Sequence, residues 1–400
     1  MKVNFWNDRN NKFKRIFQEN GEAKKIIREL EDLLSIDGFD PGVDSIFIDE
    51  IQECPEAYSS LKSFKEEYPG LLVVASGSYL QLFSKNNKMS NLPVGCVDEM
   101  VLKPLSFEEF LENIDSEVHA RYEELQVNNF EVTSTLHDKL VARMNEYFFT
   151  GGLPELVAFF KDSHGNAGVR ERIRSKQKTL VKQYSGDFQK YGKSQHVKKI
   201  DKLFSSIPYQ LERVHDDTVR RFMYTELGKN ANYSLFHFAF DYLEQAGLIL
   251  RSFIVSRNDL SRRVHEKIEE RNIFKCYYFD AGLLNAVLGI PADSLLKNLG
   301  SYKGYLAENF VATQLAHKYD LFSYRKNSKL DAAEVEFLLC SDDGGVVPVE
   351  VKSSMKSLKS KSLEYFIREF HPQKAYKLIP GRHHNASGAM ALPLYMVGKI

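Results

Sequence analysis

Two short apolar runs, Ile46-Phe47-Ile48 and Leu71-Leu72-Val73-Val74-Ala75, show no alternation of polar with apolar residues. Strands of that kind are covered on both faces, as in a parallel sheet between helices and unlike a half-solvated antiparallel ribbon. The neighbouring segments agree. Lys2 to Trp6 reads as a strand, Ala23 to Leu34 as a helix, Ile46 to Asp49 as a strand, Ala57 to Tyr68 as a helix and Leu71 to Ala75 as a strand. Further on, Ser106-Phe107-Glu108-Glu109 has the spacing of a capping box and predicts a helix to about Ile114. The N-terminal part is therefore expected to be α/β with a parallel sheet.

Composition narrows the class of protein. An apolar share of 43% with 27% charged residues suits well-cored globular domains, and 54 basic against 54 acidic residues leave no overall field to attract a polyanion or an anionic membrane. Cys54, Cys96, Cys276 and Cys340 stand alone, without the paired spacing of a zinc site, and predict free thiols in a reducing compartment. No apolar run approaches the roughly 20 residues that span a bilayer, and Met-Lys-Val-Asn-Phe-Trp-Asn-Asp is not a signal peptide. The expectation is a cytoplasmic protein with no membrane partner.

The rest of the chain divides by pattern. Residues 116–150 read as a polar helical connector ending at Gly151-Gly152. A basic helical stretch follows over 168–202, with eleven Lys or Arg against three acids. Over 197–256 Ile200, Leu203, Phe204 and Ile207 mark one apolar helix face. Leu235, Phe238, Ala239, Tyr242, Leu243 and Ala246 mark another, which Gly247 ends. Apolar strands at Leu248 to Val255 and Phe274 to Phe279 complete a winged helix-turn-helix. Its second helix carries Asp241 and Glu244 and no Lys or Arg, which favours a protein contact over a phosphate backbone. From 302 the order is helix, three strands, helix, strand: Gly304 to Tyr319, Leu321 to Arg325, Glu334 to Cys340, Val346 to Lys352, Leu358 to Phe370 and Ala375 to Ile379.

Two constellations carry chemistry. Asp49-Glu50 closes one predicted strand and Ser76-Gly77-Ser78 the next. In a nucleotide site such an aspartate holds magnesium, the glutamate orients the attacking water, and a serine hydroxyl senses the γ-phosphate. No residues ahead of Ser45 match Gly-x-x-x-x-Gly-Lys-Ser/Thr, and Gly186 to Ser194 fails it by one extra residue and a helical lead-in. The second constellation is Glu308, Glu334, Glu336, Glu350 and Lys352. Period-2 geometry puts Glu334 with Glu336 on one strand face and Glu350 with Lys352 on one face of the next, while Val349 and Val351 point into a core. A solvated charged face is the plain alternative. His383-His384 lacks a third ligand.

Asn4-Phe5-Trp6, Phe47-Ile48-Asp49-Glu50-Ile51-Gln52, Ala75-Ser76-Gly77-Ser78, Leu92-Pro93-Val94-Gly95 and Pro104-Leu105-Ser106-Phe107-Glu108-Glu109-Phe110 together resemble a family of bacterial and archaeal predicted AAA+ ATPases with a nuclease-like C-terminal domain. Gly151-Gly152-Leu153-Pro154-Glu155 and Asp280-Ala281-Gly282-Leu283-Leu284 continue the likeness. It implies an incomplete AAA+ P-loop sheet over 1–115, a helical connector over 116–192, a winged helix over 193–300 and an α/β restriction-endonuclease-like domain over 301–400. ATP and Mg²⁺ are the implied cofactors. Asp49 is the metal-holding residue, Glu50 the catalytic base, and Ser76 and Ser78 the nucleotide contacts. In the C-terminal domain the likeness is to the PD-(D/E)XK core, with Glu308, Glu336 and Glu350 as Mg²⁺ ligands and Lys352 beside them.

There are three departures. The family tends to carry a basic residue after Leu92-Pro93-Val94-Gly95, where this chain has Cys96. Glu336 stands where that core has Asp, one methylene longer than a tight octahedral site prefers. The strand and phosphate loop that open the family's sequence would precede Met1. Their lack implies either an internal start codon or direct pairing of Leu71 to Ala75 with a strand near Glu99 to Leu102. Without amide donors and a lysine, Asp49 and Glu50 face a polyanion with like charge, so this polypeptide is expected not to turn over ATP. The alternatives are a Mg²⁺-dependent nuclease acting through the C-terminal domain, and a non-catalytic module that contacts a protein partner through the winged helix; the partner expected is a nucleic acid or a protein.

Overall fold

A computed structural model describes residues 1–77, 95–163, 168–191, 194–213, 221–260, 273–296, 303–326, 333–340, 345–355, 360–382, 385–386 and 388–400. Ser78, Leu92 to Val94 and His383-His384 lie outside them. The chain forms two compact units, Met1–Leu102 and Lys103–Ile400.

The smaller unit is a parallel sheet of β1 (Lys2–Asn4), β2 (Ser45–Asp49) and β3 (Leu72–Ala75), with β2 central. Helices Lys12–Glu19, Ala23–Leu34 and Pro55–Glu67 pack a core of Val3, Phe5, Phe17, Ile26, Leu30, Ile46, Ile48, Leu61 and Phe64. Each such side chain contributes about 1.5–3 kcal/mol when fully buried. Cover on both sheet faces is not what the described residues show. Ile46 and Ile48 are fully buried, but Phe47, Leu72 and Val74, of opposite pleat, are 37%, 63% and 42% exposed. The strand expected near Glu99 to Leu102 is irregular backbone with Met100, Val101 and Leu102 exposed, so its pairing with β3 does not form. A run of apolar residues supplies strand propensity but not the ladder partner that makes a strand.

The larger unit holds an eight-stranded mixed sheet in the order β10-β11-β9-β8-β7-β6-β4-β5. The strands are β4 (Ile249–Val255), β5 (Phe274–Tyr278), β6 (Phe322–Arg325), β7 (Glu334–Cys340), β8 (Val346–Val351), β9 (Tyr376–Ile379), β10 (Asn385–Ala386) and β11 (Ala389–Pro393). The expected wing, β4 with β5, is antiparallel, but β4 also pairs in parallel with β6, Phe253 opposite Phe322. The hairpin is thus the edge of the C-terminal sheet, which crosses the expected boundary at 300. Its helix pair, Ser194–Glu212 and Tyr233–Gln245, buries Ile200, Leu203, Phe204 and Ile207 against Phe240, Tyr242 and Leu243, while Leu235 is exposed. Asp241 and Glu244 are spent on Arg251 of β4, at 3.1 and 2.8 Å.

The polar connector is a core element instead. Helix Ser134–Thr150 buries Leu136, Leu140, Met144, Tyr147, Phe148 and Phe149, because its apolar residues recur at three- and four-residue steps although its composition is polar. The basic stretch is broken into two helices, and part of its charge is used internally. On helix Val169–Asp187, Arg170 pairs with Asp293 and Lys176 with Glu155, while Arg174 lies over Phe149 and donates to the Ile290 carbonyl at 2.9 Å. The Ser106 capping box forms with both bonds, and helix Phe107–Ile114 follows. Among the described residues no helix is long and apolar enough to cross a membrane.

Gly151-Gly152 and Asp280-Ala281-Gly282, distant in sequence, meet in one close contact. The buried Asp280 carboxylate accepts the Gly152 and Leu283 amides, each at 2.7 Å, and so caps helix Ala281–Val287. Burial pushes this carboxyl up to about 6 against the pull of its backbone donors. Gly151 has φ +80°, and a Cβ on Gly282 would overlap the Thr150 carbonyl. These two motifs build a backbone junction. Gly282→Ala is expected to lower stability by about 3 kcal/mol or more, as overpacking against fixed backbone does. Urea unfolding of wild type and variant checks it, and a change below about 0.5 kcal/mol contradicts it.

Candidate functional site

In the smaller unit the strand tips set the geometry. Asp49 ends β2 and Ser76 follows β3. The Ser76 hydroxyl donates to Asp49 Oδ1 at 2.6 Å, and the Asn4 amide at the end of β1 donates to Oδ2 at 2.7 Å. These two bonds use half of the carboxylate's roughly four lone-pair sites and fix its plane. Glu50 lies in the left-handed region at φ 58° and ψ 45°, and its carboxylate accepts from Gln52 at 2.5 Å. A non-glycine residue there costs on the order of 1 kcal/mol, and such strain collects where a side chain must be aimed. The structure therefore brings Asp49, Ser76 and Glu50 to one end of the sheet, while Ser78 falls outside the described residues.

In the larger unit, charge gathers inside the sheet. Phe337 faces Val349 in the antiparallel β7–β8 pair, and extending that register by one sets Glu336 opposite Glu350. Glu350 is in turn the register partner of Lys377 on β9. Glu336, Glu350, Lys352 and Lys377 are all buried. Lys352 Nζ lies 2.8 Å from Glu350 Oε1, and Glu336 Oε2 accepts the Val351 amide at 3.4 Å. Val349 and Val351 are buried on the opposite pleat, as alternation requires.

Electrostatics follow from that burial. Desolvation, then the neighbouring Glu350 and Glu308, raise Glu336 well above the usual carboxylate range and so favour its protonated form. Among the described residues Glu350 Oε2 is buried without a hydrogen-bond donor, beside the Glu336 carboxyl. Burial also lowers Lys377.

Glu308 reaches the cluster from helix Gly304–Leu315. Its Oε2 takes Lys275 Nζ at 2.9 Å and the Tyr277 hydroxyl at 3.3 Å, both from β5. The next residue, Asn309, pins helix to strand by exchanging two bonds with the Tyr278 backbone, at 2.8 and 3.0 Å. Glu334 is spent on Arg325 at 3.1 Å. Glu336, Glu350 and Lys352 thus come together, and Glu308 stands beside them on its own lysine.

Lys275, Tyr277 and Lys377 were not among the sequence candidates. The signal was a single lysine inside an otherwise apolar strand, Phe274-Lys275-Cys276-Tyr277-Tyr278 and Tyr376-Lys377-Leu378-Ile379. Glu108, His119 and Glu123 form another close trio, with ligand atoms within 4.8 Å of one another. There the Lys399 ammonium, 2.8 Å from Glu123, already supplies positive charge.

Three family models match consecutive parts of the chain. Residues 2–111 match an AAA domain, residues 141–294 a domain of unknown function (DUF8612) and residues 303–396 a domain of unknown function (DUF4143). No curated protein and no solved structure matches the chain.

Proposed function

We propose that residues 2–111 belong to the nucleotide-handling domain of an AAA-type ATPase and supply its acidic residues. The observation that carries the reading is the Asp49–Ser76 hydrogen bond at the tips of adjacent parallel strands, within a segment that matches the AAA domain model. Asp49 would hold Mg²⁺, with Asn4 and Ser76 fixing its orientation, and Glu50 would orient the attacking water. Mg²⁺ and ATP, when bound, would supply charge neutralisation and the transferable phosphoryl group. The amide cradle and lysine that grip a triphosphate have no counterpart in this sequence, and acidic groups alone repel it. In a phosphate-release assay on the purified polypeptide with Mg²⁺ and ATP, turnover should not exceed that of Glu50→Gln. Robust release that Glu50→Gln abolishes would contradict this.

A second reading, hydrolysis of phosphodiester bonds with a divalent cation, is favoured by the convergence of Glu336, Glu350 and Lys352 inside the C-terminal sheet. The residues fit one hard cation. Glu336 and Glu350 are cross-strand neighbours, and Glu350 Oε2 awaits a positive partner. The ion, when bound, would polarise a phosphate oxygen. Glu336 and Glu350 would hold it once Glu336 gives up its proton, and the Lys352 ammonium, fixed by Glu350, would face charge developing on the phosphate. Glu336→Gln copies the protonated carboxyl and should fold like wild type. With Mg²⁺ or Mn²⁺, wild type should cleave single-stranded DNA, plasmid or RNA, and both EDTA and Glu336→Gln should abolish the cleavage. No cleavage of any of the three by wild type would contradict the reading.

A further inference from the structure

We infer that Lys275 is a resident cation in the C-terminal acidic site, holding Glu308 to itself so that the site takes one divalent ion and not two. The inference rests on the metal-dependent reading of that site. Carboxylates contributed by a helix and two strands, here Glu308, Glu336 and Glu350, are enough to hold either one or two ions. What distinguishes this chain is the third lysine. Lys275 is 4% exposed, and its ammonium sits 2.9 Å from Glu308 Oε2. The Tyr277 hydroxyl, at 3.3 Å, adds a second donor to the same oxygen.

The consequence is visible in the bonding. Glu308 Oε2 takes Lys275 and the Tyr277 hydroxyl from β5, whereas Glu350 Oε1 takes Lys352 from its own strand end. Glu308 is turned towards β5. Glu336 and Glu350 remain as a cross-strand pair with one donor-free buried oxygen, the place for a single ion. An ammonium and a divalent ion both serve to neutralise carboxylates, but the lysine is tethered and cannot leave. A buried lysine needs its counter-charge, so Lys275 and Glu308 hold each other in place. Lys275 and Tyr277 are therefore positioning residues: they act on Glu308 and touch neither ion nor substrate. The strand that carries them lies in the segment matched by DUF8612, outside the one matched by DUF4143.

Isothermal titration of the full 400-residue chain with MnCl₂, with thermal unfolding followed in parallel, tests this. Wild type should bind one Mn²⁺ at the Glu336–Glu350 pair, lost in Glu350→Gln. Lys275→Met frees Glu308, and should bind Mn²⁺ at least tenfold more tightly or take up a second ion, with a larger Mn²⁺-induced rise in unfolding temperature than wild type. Lys275→Met/Glu308→Leu removes both charges, and should return to wild-type stoichiometry and affinity. Two ions bound by wild type would overturn the inference without recourse to any variant. So would wild-type stoichiometry and affinity in a folded Lys275→Met, while leaving the metal-dependent reading intact. No Mn²⁺ bound by any of the proteins would remove that reading, and the inference with it.

Discussion

Placing charged groups inside a sheet is the constraint around which the larger unit is organised. Moving one ion out of water costs several kcal/mol even after relaxation, and the cost is met only where each charge finds an opposite one or a proton. Glu350 has Lys352, Glu308 has Lys275, and burial drives Glu336 towards its protonated form. Lys275 comes from β5, so its pairing with Glu308 requires the wing-like hairpin and the C-terminal strands to belong to one sheet. A structural ion pair of this kind is commonly no more stabilising than apolar residues of similar volume.

The opposite solution holds at the helical end of the same unit, where a single buried carboxylate, Asp280, is satisfied by backbone amides alone. Its neighbours are glycines because the Thr150 to Gly152 backbone passes too close for a side chain. The two family-like motifs there are explained by packing, whereas the acidic motifs on β7 and β8 are not. Bond partners separate the two cases. Asp280 accepts two backbone amides and is a cap, whereas Glu350 keeps a donor-free buried oxygen beside a second carboxyl.

Much of this could be read from the sequence where the information is local. The Ser106 capping box, helix Ala23–Leu34, and the strand pleat that puts Glu350 with Lys352 and Val349 with Val351 on opposite faces all depend on neighbours a few residues away. What escaped depends on pairing across long separations. The β4–β6 contact that fuses the wing with the C-terminal sheet, the Lys275 to Glu308 bond and the register of Lys377 against Glu350 leave no trace beyond a lone lysine in an apolar strand. Helix Ser134–Thr150 was misread for another reason, because its polar composition hid an apolar stripe. In the smaller unit Asp49 and Ser76 were legible because parallel strands place their C-terminal ends together, but the bare pleat of Phe47, Leu72 and Val74 was not.

In the buried site of the C-terminal sheet, with Glu350 and Glu308 matched to lysines, Glu336 is driven towards its protonated form. The most direct measurement is the pH titration of its side-chain carboxyl by NMR, with ¹³C-labelled glutamate and Glu336→Gln to assign the resonance. The expected result is a carboxyl that ionises well above the ordinary glutamate range of about 4.3. Ionisation within that ordinary range would show that the cluster is hydrated or open, and would contradict it.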